Sequence, residues 1–183
     1  MSVQQATKNQ KRMKKFLFVL AVATLVTTVV FAQEETSRRD KRRAREKEHA
    51  ELIRQLVESR NLEFIAQFAH PMGGSSISLT SQYSLDIRND SVTSYLPFFG
   101  VAYSAEYGNT EGGIKFSQKA NKMEWLTSAK GYTVKTEVKT TKDVYYLVLQ
   151  ITQAGYATLN VNSNNRQAIY FTGIILKPEP PRH

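Results

Sequence analysis

The chain has 183 residues, 25 Lys and Arg against 16 Asp and Glu for a formal charge of +9, and no cysteine. The missing cysteines exclude a lipid-anchored cysteine, a disulfide framework and any thiol chemistry. The positive charge does not establish a nucleic-acid footprint, because five of the basic groups stand in the first 15 residues, directly ahead of an apolar run.

That run, "FLFVLAVATLVTTVVFA" from Phe16 to Ala32, follows Lys8, Lys11, Arg12, Lys14 and Lys15, and Val30 and Ala32 occupy the small-residue positions of an export-peptidase site. Residues 1–32 therefore read as a secretory signal cleaved after Ala32, placing the protein in the periplasm or outside the cell. An uncleaved anchor is the rival. Its 17 apolar residues would rise about 26 Å as a helix, slightly short of a hydrocarbon core of roughly 30 Å. The 151 residues that follow hold 20 basic and 16 acidic groups, so the net charge falls to +4. A chain of that length can bury roughly two-thirds of its unfolded surface in one domain.

Residues 33–60 read as a charged N-terminal helix. "SRRDKRRAREKEHAELIRQLVESR" is rich in helix formers and free of Gly and Pro, with Ser37 as its cap and Asn61 as a left-handed terminator. Leu52, Ile53, Leu56 and Val57 form its docking stripe. The basic residues Arg38, Arg39, Lys41, Arg42, Arg43 and Arg45 are a solvated helix start paired with glutamates, or a peripheral contact with anionic lipid. Nucleic acid is not expected as a partner, since no aromatic stacking platform adjoins the run.

After Asn61 the hydrophobic period changes from 3.6 to 2. "NLEFIAQFA" sets Leu62, Phe64, Ala66 and Phe68 on one side, and "YSLDIR" does the same with Tyr83, Leu85 and Ile87. "GYTVKTEVK" alternates over nine residues, "DVYYLVLQI" is apolar on both faces and reads as a central strand, and "YATLNVN" and "QAIYFTGIIL" complete the series. Loops of a few residues between them predict an up-and-down meander over residues 119–176. Gly173 marks a bulge or bend. The expected fold is mainly β: a curved antiparallel sheet or incomplete barrel over residues 61–176, with one N-terminal α-helix and a flexible Pro-rich tail at 177–183.

One long interruption breaks the pattern. "SYLPFFGVAYSAEYGNTEGGIKF", from Ser94 to Phe116, packs six aromatics and four glycines into 23 residues. Tyr95, Phe98, Phe99, Tyr103 and Tyr107 are the candidate ligand-binding residues, as the wall of a half-barrel pocket for a lipid, glycan or peptide, or else a plug that completes the core. This loop, with "HPMGGSSISLTSQYSLDIRNDSVT" before it and "SNNRQAIYFTG" after, resembles a family of exported Bacteroidota proteins known only as a domain of unknown function. The resemblance spans roughly residues 40–176. It implies export to the envelope and a β-rich domain behind a helix, and it carries no catalytic residue.

Other chemistry is weakly represented. His49, His70 and His183 have no metal-ligand spacing. The serines of "GGSSIS" lack a nucleophile elbow, and Glu106 and Glu111 are the pair that glycoside hydrolysis would need. Asp86, Asn89 and Asp90 fall short of a calcium loop, so Asx-turn chemistry explains them. No metal, cofactor or catalytic residue is expected. The function expected is non-enzymatic binding or scaffolding in the cell envelope, with carriage of an apolar ligand as the alternative.

Overall fold

The computed structural model describes residues 38–103 and 113–178. The apolar N-terminal run and its cleavage site, Ser37, Glu106, Tyr107, Glu111 and residues 179–183 lie outside them. The chain divides into two compact units, Met1–Lys47 and Glu48–His183. Helix α1 covers residues 38–58. In the first unit its residues are all exposed, and Arg42 Nε donates to Glu46 Oε1 at 2.8 Å. In the second unit Arg54 bridges Glu51 and Glu58, each at 2.6 Å. Hydrogen bonds from Arg54 and Gln55 hold the Glu51 carboxyl down at about 2.

Ile53, Leu56 and Val57 are buried in the core, whereas Leu52 is 43% exposed. The stripe is thus one residue narrower than its spacing implied. The helix also ends two residues earlier than expected, at residue 58, and the left-handed residue comes one position before Asn61. Arg60 takes the left-handed conformation (φ 53°), and Asn61 already opens the first strand. The Arg60 carbonyl accepts from Asn89 N at 2.8 Å, and this tertiary bond rewards the strained residue where it stands.

Nine antiparallel strands make one curled half-barrel sheet: β1 (Asn61–Pro71), β2 (Ile77–Arg88), β3 (Ser91–Leu96), β4 (Ile114–Lys119), β5 (Lys122–Ser128), β6 (Gly131–Lys139), β7 (Val144–Thr152), β8 (Tyr156–Ser163) and β9 (Ile169–Leu176). Their spatial order is β4-β3-β2-β1-β9-β8-β7-β6-β5. Two meanders, β1 to β4 and β5 to β9, are joined by the pairing of β1 with β9, so β9 rather than β7 occupies the middle. The edge strands β4 and β5 are consecutive in sequence and separated only by Ala120 and Asn121. A flat nine-stranded sheet would put them some 38 Å apart, eight strand spacings of about 4.8 Å, so the sheet must curl. The link is pinned on both sides. Ala120 N donates to Asp90 O, Asn121 N to Glu137 O, and Lys139 N to Asn121 Oδ1.

Strict alternation carries the inside. Phe64, Leu85, Val92, Val134, Leu149, Leu159 and Phe171 are all buried to 1% exposure or less. Each such side chain removed from water is worth about 1.5–3 kcal/mol. The alternation slips once. Between Ala66 and Phe68 the register of β1 shifts against both β2 and β9; opposite β9 Gln67 is an extra residue, and Phe68 turns outward while Ala69 goes in. This overturns the expectation that Phe68 shares a side with Leu62, Phe64 and Ala66. Gly173 faces the bulge from β9, paired with Ala66.

On the outer face, Asp86 is partly buried beside Arg88, whose Nη2 stands 3.8 Å from Oδ1, too far for a hydrogen bond. Burial raises the Asp86 carboxyl above its ordinary value, and Arg88 offsets this only in part. An acid raised by folding favours the folded state below its ordinary pKa and loses that contribution as pH climbs through the folded value. Asp86→Asn should therefore raise the urea midpoint at pH 7 and leave it unchanged near pH 3. An equal midpoint at both pH values for variant and parent would count against burial as the cause.

Candidate functional site

Among the described residues, the rings singled out in the sequence do not form one cluster. Tyr95 lies on the exposed face of β3, stacked on Tyr83 at 5.6 Å with Lys115 Nζ 5.1 Å from its centroid. Phe98 and Phe99 are partly buried and pack against the core. Tyr103 is 69% exposed, and Tyr107 lies outside the described residues.

Both ends of the interruption are tied to the β8–β9 connection. Tyr103 N donates to Asn165 O and Gln167 N to Val101 O, while Ala102 and Arg166 form an isolated bridge. The Arg166 guanidinium lies 5.2 Å from the Phe98 ring centroid and gives Nη1 to Gly113 O at 3.0 Å. One arginine thus holds a ring near the loop's start and a carbonyl at its exit, a cation–π contact and a charge-assisted bond on one side chain.

A second feature had no local signal. A groove of about 550 Å³ runs over the outer face of the sheet beside the β1 bulge. Phe68 (β1), Thr172 (β9), Thr158 (β8), Gln150 (β7) and Thr133 (β6) line it, and they are successive cross-strand partners. They form one row at right angles to the strands. Tyr156, 65% exposed, and Gln67 stand beside the row, and Lys130 is the one charged residue of the lining.

The sequence concealed this row because register brings its members together from positions up to 104 residues apart, and the bulge puts Phe68 among them. Behind Thr172 sits His70. Its Nε2 is 3.0 Å from Thr172 Oγ1, its Nδ1 2.7 Å from Ser76 Oγ, and its ring stacks on Tyr170 with centroids 4.4 Å apart. Each ring nitrogen meets one hydroxyl, so His70 braces the groove wall.

Asp86, Asn89 and Asp90 do not converge. Asp86 faces Arg88, Asn89 turns with a φ of 56°, and Asp90 Oδ2 binds Lys119 Nζ at 2.7 Å, which lowers its carboxyl pKa. Among the described residues no group of three or more His, Cys, Asp or Glu is placed to hold a metal.

Residues 44–175 match the family described as domain of unknown function DUF4251. The crystal structure of a DUF4251 family protein from Bacteroides eggerthii DSM 20697 is similar with a TM-score of 0.55 at 16% identity, covering 70% of this chain and 87% of that one. At that identity the likeness speaks for the fold alone. A search of curated proteins gives no match.

Proposed function

The chain belongs to the DUF4251 family, a domain of unknown function, and from its own geometry we propose an exported cell-envelope protein that acts by binding, with the outer-face groove as its site. The lining of that groove carries the reading: aromatic rings, hydroxyls and amides, with Lys130 as its single charge. Such a surface stacks and hydrogen-bonds a ligand, and it offers no paired acid and base for proton transfer. The concave side supports the same choice over an apolar carrier, because Phe64, Leu149 and Phe171 fill it and Phe98 and Phe99 pack against that core.

Export rests on the basic, apolar and Val-x-Ala segments of residues 1–32. Among the described residues no helix is long and apolar enough to cross a membrane. Two measurements test the proposal together. Intact-mass analysis of protein from the native envelope should give a chain beginning at Gln33, and an uncleaved Met1 form in the membrane fraction would overturn the export route. Backbone amide spectra recorded during titration with soluble glycans, short peptides and lysophospholipid should show shifts at Thr133, Gln150 and Thr158. Spectra indifferent to all three would remove the groove as a binding site.

A further inference from the structure

We infer that the groove takes a linear glycan carrying acidic groups, laid across the strands along the row Phe68, Thr172, Thr158, Gln150 and Thr133, with Lys130 as its counter-charge. This deepens the binding proposal and rests on it.

Spacing is the first ground. The row advances one strand per residue, about 4.8 Å each time. Pyranose rings in an extended polysaccharide repeat at nearly the same interval. Successive sugars therefore meet successive hydroxyl or amide groups in step, across β1, β9, β8, β7 and β6.

Chemistry is the second. A pyranose presents hydroxyls at its rim and apolar C–H faces above and below. The row offers three threonines and a glutamine for the rim, and exposed Phe68 and Tyr156 for the faces.

Rival ligands fit less well. An extended peptide gains most of its affinity by adding a strand to a sheet edge. Of the five strands under the row, each is already paired with neighbours on both sides, so no edge is open there. A lipid tail needs an enclosed apolar lining, and four of the five residues in this row, Thr172, Thr158, Gln150 and Thr133, put a polar group along the floor. Charge decides between neutral and acidic glycans. Among the described residues Lys130 is the one charged group of the lining and no carboxylate lines it, so an anionic sugar finds attraction there.

Isothermal titration of the purified protein with a linear oligogalacturonate and with a cello-oligosaccharide of equal length tests the inference. The acidic chain should bind more tightly, and affinity should rise with length until the row is covered. Phe68→Ala and Gln150→Ala should each weaken binding about tenfold, the loss of one stacking or polar contact. Both residues are exposed, so the urea midpoint serves as the folding control. Lys130→Ala should abolish the preference for the acidic chain. Equal binding of both oligosaccharides by the parent would overturn the acidic assignment, and binding untouched by Phe68→Ala and Gln150→Ala would overturn the site. Should a short peptide or lysophospholipid shift the groove amides while neither oligosaccharide binds, the glycan inference fails and the binding proposal stands. Silence from all four probes sinks both.

Discussion

Gly173→Ala is expected to cost at least about 3 kcal/mol of unfolding free energy, far more than alanine costs at an ordinary strand position. A Cβ on Gly173 would overlap the carbonyl oxygen of Ile65 and stand 3.2 Å from Ala66 Cα. Neither neighbour is a side-chain end that can swing away. Both are backbone of β1, held in the ladder that joins the two meanders. Relief requires the β1–β9 seam to part, and that pairing joins the two meanders in the strand order. Gly73→Ala is the control. Gly73 has a φ of 80°, yet a Cβ there meets nothing within 4 Å, so only left-handed strain of about 1–2 kcal/mol applies. Urea unfolding followed by circular dichroism measures both. A Gly173→Ala midpoint no lower than that of Gly73→Ala would show that the bulged seam yields easily. Because Gly173 lines the groove, the same substitution should also weaken any ligand held there.

Much of this architecture was legible in the residues, and the reason is local. The strands read from period-2 alternation and the short turns of the second meander follow locally, and "GYTVKTEVK" behaves as its pattern says, with Val134, Thr136 and Val138 buried. Properties set by non-local pairing were not legible. The β1–β9 seam joins residues 98 to 113 positions apart and moves β9, not β7, to the centre. The bulge at Gln67 reverses Phe68 against its own alternation, because the register answers to Gly173 on another strand. Arg60 takes the turn that Asn61 is better suited to, since the Arg60 carbonyl finds Asn89 N. The same divide separates the two ring-bearing regions. The aromatic loop announces itself by composition, and the structure uses Phe98 and Phe99 against the core. The row along the groove draws one ordinary residue from each of five strands and has no composition to notice.

Adjacent residues on β9 test the inside and outside of the half-barrel most directly. Phe171 is fully buried between Ala69 of β1 and Leu159 of β8, so Phe171→Ala should cost about 3–5 kcal/mol through lost burial and the cavity left behind. Tyr170 points the other way, 43% exposed and stacked on His70, so Tyr170→Ala should cost only about 0.5–1.5 kcal/mol. The two differ by one position along a strand of period 2, so their side chains leave opposite faces of the sheet. Tyr170→Ala should nonetheless loosen His70 from Thr172 and thus act on the groove wall without acting on the fold. Comparable losses for the two substitutions in urea would mean that the outer face is covered as tightly as the inner one. The groove could not then be open to a ligand.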